Sequence, residues 1–180
     1  MYPRDGLSLI RTGIGLTFLM SAVQKTLSGW LLTPDHLVSF VQRQQAAAVA
    51  PYGAFLQEIV LPNAGLFAQL VVLGEWVAGV SLALGLFTRL GAISAFWLNG
   101  NYLLSKGPLT TDASADRIYM LSALVVAAVA ADLAWSADRA LSSHHFDNPL
   151  ARWLAGHSPR KARPSPFEIR GRRGRESRAA

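Results

Sequence analysis

The chain has 180 residues, of which 51% are hydrophobic, and it carries a formal net charge of +6. This length suits one domain, and a mean hydropathy of +0.27 favours a membrane protein over a soluble globule. The chain has no cysteine, which excludes disulfides, thiol redox relays and iron–sulfur ligation by its own residues. Any electron transfer must therefore use a redox group that the chain's own residues do not supply.

A first apolar segment covers residues 6–32. It follows Arg4 as in a signal peptide, but it has no clear small-x-small cleavage site, so we predict an uncleaved first span. Small and polar residues recur every four positions and form a ridge along one helix face: Gly13, Thr17, Ser21 and Lys25. Lys25 is expected either to extend to the membrane interface or to meet a buried partner. Arg11, near the other end, is expected to extend to the interface.

The segment after the first span is too polar to cross a membrane. Thr33-Pro34-Asp35 predicts a helix start, and apolar residues at helical spacing up to Ala50 predict an amphipathic helix on the outer side of the bundle. A turn is predicted at Pro51-Tyr52-Gly53. The stretch from Phe55 to Leu61 is expected to add a helical turn against the bundle, and Pro62-Asn63 closes it.

Three further apolar segments are predicted to cross the membrane: 66–87, 88–105 and 118–135. A helix rising about 1.5 Å per residue needs roughly 20 apolar residues to cross a bilayer core, and the first of these segments meets that length. Four spans place both termini on one side, which the positive-inside rule assigns to the cytoplasm. We predict an all-α integral membrane four-helix bundle over residues 1–138, located in the plasma membrane.

The positive charge is concentrated in the C-terminal segment. From Arg139 onward ten basic residues stand against three acidic ones, so this segment carries +7 and the rest carries −1. Residues 139–180 are predicted to form a cytoplasmic basic tail, with a short amphipathic turn at Leu150 to Leu154. Its Arg- and Pro-rich part from Pro159 has too few apolar residues to fold, which predicts disorder there. Anionic lipid is the expected partner rather than nucleic acid, because the tail lacks interleaved aromatic residues that would stack on bases.

Glu75 lies near the middle of the second predicted span. An isolated carboxylate there would face several kcal/mol of desolvation, so Glu75 needs a proton or a partner. Lys25 is the candidate partner, because a buried carboxylate and ammonium relieve each other's desolvation when hydrogen bonds complete the site. Three interpretations stay open: a structural clamp between two helices, a ligand or proton-handling site, and a carboxyl group that stays protonated.

Other polar residues are candidates for ligand binding near this pair. Asn99 and Tyr102 share one face of the third predicted span, and Tyr119 enters from the fourth at a similar depth. Asn101 lies on another face of the third span and is a further ligand-binding candidate. A metal or haem is not expected: no histidine lies inside a span, and His144-His145 follows the last one.

The sequence from Gly74 to Arg89 resembles the DoxX/DoxD family of small four-helix membrane proteins. The resemblance consists of Gly-Glu, a helix rich in small residues, and then Gly-Leu-x-Thr-Arg. The first span is similar to the family's first helix, with Arg11-x-Gly-x-Gly and Lys25 near its end. The resemblance covers about residues 6–136.

The resemblance implies a membrane-embedded, redox-associated subunit. In the DoxD branch such proteins form part of a thiosulfate:quinone oxidoreductase, so the ligand implied is a quinone or a small sulfur anion, with Glu75 and Lys25 as candidate catalytic residues. The alternative is a non-catalytic scaffold for a soluble redox or sulfur-handling enzyme. Whether the chain is itself an enzyme is left open, and self-association into a homo-oligomer is a further candidate.

Overall fold

The computed structural model describes residues 3–130, 137 and 149–154. Within these ranges all regular structure is helical, as the sequence predicts. The helices are α1 (Pro3–Leu27), α2 (Asp35–Gln44), α3 (Ala50–Phe55), α4 (Ala64–Leu84), α5 (Thr88–Lys106), α6 (Ser114–Val129) and α7 (Pro149–Leu154). A π-helical turn, Leu56–Val60, and a 3-10 turn, Leu61–Asn63, join α3 to α4.

Helices α1, α4, α5 and α6 form a bundle. Helix α1 packs on α4, α4 on α5 and α5 on α6, and α6 returns to contact α1. Small buried residues such as Ala78, Ala92 and Ala95 line the centre and let the helix backbones approach closely. Larger side chains, among them Phe18 and Leu82, fill the space between them.

Helix α2 and the segment from α3 to α4 build a second apolar cluster at one end of the bundle. Leu37 and Val41 of α2 are buried there, so the amphipathic helix predicted after Thr33-Pro34-Asp35 is present, but it ends at Gln44 rather than at Ala50. The turn predicted at Pro51-Tyr52-Gly53 is wrong, because these residues belong to α3. Proline is tolerated in the first helical turn, where its missing N–H group has no partner within the helix.

Helix α1 ends at Leu27 rather than at the predicted residue 32. Gly29 adopts a left-handed conformation with φ of +86°. The N–H of Trp30 donates to the carbonyl of Lys25 at 3.1 Å, and the N–H of Gly29 donates to that of Thr26 at 3.3 Å. This is the Schellman pattern that ends a helix.

The other predicted boundaries are close to the observed ones where the structure describes them. Helix α4 runs over Ala64–Leu84 and α5 over Thr88–Lys106, against predictions of 66–87 and 88–105. Helix α6 begins at Ser114. The predicted end of the fourth span at 135, the histidine pair at 144–145 and the tail beyond 154 lie outside the described residues.

Large apolar side chains cover much of the outside of the bundle, while several charged side chains lie inside it. Two helical stretches in the described part of the chain, Asp5–Leu27 and Ala50–Leu84, are long and apolar enough to cross a membrane. Large apolar side chains such as Met20 and Leu73 are exposed, at 74% and 60%, whereas Arg11 is 1% exposed. The expectation that Arg11 extends to the interface is therefore wrong, because its side chain is enclosed by the bundle.

Gly85 ends α4 in a left-handed conformation, with φ of +68°. A side chain at such a φ costs about 1–2 kcal/mol. We expect Gly85→Ala to lower the free energy of unfolding by roughly this amount in a chemical denaturation experiment. Gly65→Ala is the matched control, since Gly65 is helical and exposed with open space around it; equal stability of the two variants would contradict the expectation.

Candidate functional site

Glu75 projects from α4 into the bundle, where the residue is 2% exposed. Its Oε1 atom accepts a hydrogen bond from Nζ of Lys25 in an ion pair. The hydroxyl of Tyr102 lies 3.4 Å from the same oxygen, and the hydroxyl of Ser21 donates to Oε2 at 3.0 Å. Both carboxylate oxygens therefore have partners, which offset the desolvation of the charge.

Lys25 turns inward from the end of α1 instead of extending away from the bundle. Besides Glu75, its Nζ atom contacts the hydroxyl of Tyr102 at 3.1 Å and that of Ser21 at 3.3 Å. It also lies 5.2 Å from the centre of the Trp30 ring, within range of a cation–π contact. The contact between Lys25 and Glu75 that the sequence indicated is therefore present. Ser21 and Lys25 of α1 bind the acid, and the Trp30 ring lies against the ammonium.

A second ion pair lies beside the first. Nζ of Lys106, at the end of α5, donates to Oδ2 of Asp116 in α6 at 2.8 Å. Tyr102 lies between the two pairs, with Nζ of Lys25 and Nζ of Lys106 at 5.4 and 5.5 Å from its ring centre. Sequence reasoning missed this pair. The signal that could have indicated Lys106 is its position four residues after Tyr102, which puts both residues on one face of a helix.

A cavity of about 310 Å³, which we call the site cavity, lies between the two ion pairs. It is lined by Thr17, Phe18, Ser21, Lys25, Trp30, Phe40, Glu75, Asn99, Tyr102, Lys106, Ala115, Asp116 and Tyr119. Phe18 and Tyr119 meet edge to face in its wall, with ring centres 6.3 Å apart. The cavity thus combines aromatic surface with hydrogen-bonding groups, as small-molecule sites do.

The structure brings five of the six sequence candidates to this cavity: Lys25, Glu75, Asn99, Tyr102 and Tyr119. Asn99 is 4% exposed, and its Nδ2 donates to the carbonyl of Ala95 at 2.7 Å. The sixth, Asn101, does not line it. Asn101 accepts a hydrogen bond from the hydroxyl of Tyr52 at 2.6 Å on the other side of α5, because two positions along a helix turn a side chain to another face.

The site cavity can hold a ligand through hydrogen bonds and can exchange protons. Lys25, Tyr102 and Ser21 supply donors, while Glu75 and Asp116 supply carboxylates. Two ammonium and two carboxylate groups among the lining residues balance in charge. Such a site suits a neutral polar ligand better than an ion, since an ion would add an uncompensated charge.

The DoxX family model matches residues 6–99, more than half of the chain. The chain belongs to the DoxX family. This confirms the resemblance seen between Gly74 and Arg89. The match runs from residue 6 in α1 through α2, α3 and α4 to Asn99 in α5. It covers Lys25 and Glu75 but not residues 100–136 of the resemblance. Neither the curated proteins nor the solved structures contain a match to the chain. Family membership and the long apolar helices together support a membrane protein.

Proposed function

We propose that this DoxX-family chain is a redox-associated subunit of the plasma membrane that binds a quinone in the site cavity. The observation that carries the proposal is the enclosed Lys25–Glu75 pair, which lines a cavity with aromatic walls. Ionisable groups buried inside membrane helices mark ligand and proton pathways. Thiosulfate or another sulfur anion is the second ligand that the family resemblance implies, and the balanced charge of the cavity favours the neutral quinone over it.

The lining residues fit a quinone head group. A quinone has two carbonyl oxygens that accept hydrogen bonds. Nζ of Lys25 donates to the hydroxyl of Tyr102 at 3.1 Å, and a quinone oxygen at this side of the cavity would take over one of the N–H groups of Lys25. Asn99 would orient the ring by a further hydrogen bond, and Tyr119 would contact its face. When bound, the quinone supplies the capacity to take up two electrons and two protons. Glu75 would exchange protons with the ligand through Lys25 and Tyr102.

The same proposal includes four membrane spans with both termini in the cytoplasm. The four spans are supported by α5 and α6, which expose large apolar side chains as α1 and α4 do. Trp97 and Ile118 are 70% and 65% exposed on these helices. Apolar side chains on the outside of all four helices, with the ion pairs inside, are typical of a bundle surrounded by lipid.

Partners follow from the same proposal. The basic residues after Arg139 would bind anionic lipid at the cytoplasmic surface. Because the chain has no cysteine with which to bind an iron–sulfur cluster, a soluble redox or sulfur-handling protein would exchange electrons with the quinone. A homo-oligomer is a further candidate assembly.

Quinone binding to purified protein in lipid nanodiscs tests the proposal. We expect Glu75→Gln and Lys25→Met to weaken binding at least about tenfold, because a hydrogen bond to a charged group contributes roughly 1.5–3 kcal/mol. Glu58→Gln and Arg43→Met are matched controls at exposed positions and should leave binding unchanged. Unchanged affinity in both site variants, or displacement of the quinone by millimolar thiosulfate, would contradict the assignment.

A scaffold without catalysis is the second candidate function. Both oxygens of Glu75 are satisfied by Ser21, Lys25 and Tyr102, so the pair can hold α1 against α4 with no ligand. The exchange variant Lys25→Glu/Glu75→Lys separates the two candidates. Restored folding together with restored activity of the cellular redox complex favours the scaffold, whereas restored folding without quinone binding favours the quinone site.

A further inference from the structure

The site cavity has an apolar neighbour. A second cavity of about 200 Å³, the apolar cavity, shares two lining residues with it, Phe40 of α2 and Tyr102 of α5. The rings of these two residues meet edge to face, with centres 5.7 Å apart and planes at 83°. This aromatic pair forms the wall between the two cavities.

The apolar cavity lies where α2 and the segment after α3 pack on α4 and α5. Its lining includes the buried side chains of Leu37, Val41, Leu56 and Val60. Most of the lining is apolar and favours an apolar occupant, and the polar residues Tyr52, Asn101, Tyr102 and Ser105 complete the wall. The space beside the polar site is therefore suited to hydrocarbon.

A surface groove of about 550 Å³ continues from the apolar cavity. The two share Tyr52, Phe55, Trp97 and Asn101. Trp97 is 70% exposed, so the groove opens onto the outer face of the bundle. The hydrogen bond between Tyr52 and Asn101 lies at this boundary. Site cavity, apolar cavity and surface groove thus form a row from the ion pairs to the surrounding lipid.

We propose that the ligand of this protein is amphipathic, with a polar ring in the site cavity and a hydrocarbon tail that leaves the bundle sideways. The tail passes the Phe40–Tyr102 pair, fills the apolar cavity and reaches lipid through the groove beside Trp97. Phe40 is only half-buried on α2, so rotation of its side chain opens the passage. This inference rests on the proposed quinone site and narrows its ligand to quinones with long apolar tails.

Binding of two probes to the full chain in nanodiscs tests the inference. The probes are a benzoquinone without a side chain and the same benzoquinone with a decyl chain, each corrected for partition into lipid. Leu70→Trp enlarges a half-exposed residue that lines the apolar cavity, and Leu73→Trp is the control one turn along α4, outside the cavity lining. We expect Leu70→Trp to lower the affinity for the decyl probe about tenfold or more, because the larger side chain overpacks the apolar cavity. The affinity for the short probe should stay unchanged.

The outcomes separate this inference from the proposed function. If the short probe binds and Leu70→Trp weakens neither probe, the tail route is refuted while the quinone site stands. If neither probe binds the wild-type chain, both are refuted. A decyl probe with a photoreactive group at its tail end gives a second measurement that needs no variant. Labelling around Tyr52, Phe55 or Trp97 supports the route, and labelling confined to other helix faces overturns it.

Discussion

Lys25→Met is expected to lower the free energy of unfolding by roughly 3–5 kcal/mol, because it leaves a buried carboxylate without its counter-ion. Glu75 is 2% exposed, so the carboxylate keeps most of its desolvation penalty once the ammonium is gone. The remaining hydroxyls of Ser21 and Tyr102 contact the carboxylate but carry no charge. Chemical denaturation of the purified protein in detergent micelles measures the change.

The control for this prediction is Arg43→Met, which removes a cation from an exposed position of α2 and should change stability by less than about 0.5 kcal/mol. The double variant Lys25→Met/Glu75→Leu should recover most of the loss, since apolar replacement of both members of a buried ion pair is often neutral. A stable single variant, or a double variant less stable than the single one, would show that the pair does not hold the bundle together.

Gly15→Ala should destabilise the protein by about 3 kcal/mol, the upper end of the range for overpacking. A Cβ atom on Gly15 would lie 2.2 Å from the backbone nitrogen of Ala83, and a Cβ atom on Gly79 would lie 2.7 Å from that of Leu19. Backbone atoms cannot move aside by changing rotamer, so α1 and α4 would have to separate. The unfolding transitions of Gly15→Ala and Gly79→Ala measure the loss of stability caused by this separation.

Gly13 supplies the matched control on the same helix. No atom lies within 4 Å of the position that a Cβ atom on Gly13 would take. Gly13→Ala should therefore be neutral or stabilising by up to about 1 kcal/mol, because alanine favours the helix. Equal losses at Gly13 and Gly15 would mean that helix propensity, and not the close approach of α1 to α4, decides stability here.

The ridge of small and polar residues on α1 shows which parts of the site could be predicted from the sequence. It placed Ser21 and Lys25 on one face, and both contact Glu75 in the structure. Thr17 of the same ridge lines the site cavity. Gly13, however, faces open space, and the close backbone contact is made by Gly15, which the four-residue spacing did not include. Periodicity defines a face of a helix but not the position where the neighbouring helix crosses it.

The second ion pair shows why the other contacts between helices could not be predicted from the sequence. Lys106 and Asp116 are separated by the loop between α5 and α6, and they meet because that loop returns the chain antiparallel. The partition of Asn99 and Asn101 to two different cavities likewise depends on the rotation of α5 about its axis. Helical spacing placed Asn99 on the face of Tyr102 near the acid and turned Asn101 to another face, but only the packing of α5 shows which cavity each residue lines.

The sequence alone determined the helical character, the approximate extents of α4 and α5, and the need of Glu75 for a partner, and it carried the motifs that resemble the family. The helical properties and the need of Glu75 follow from local periodicity, composition and the cost of a buried charge, none of which depends on contacts with distant residues. The family followed from the motif resemblance between Gly74 and Arg89. Only the tertiary structure decided that Ser21, Lys25 and Tyr102 satisfy that need, and that an apolar passage leads away from them. The physical reason is that helix rotation and crossing are set by close packing between distant small residues such as Gly15 and Gly79.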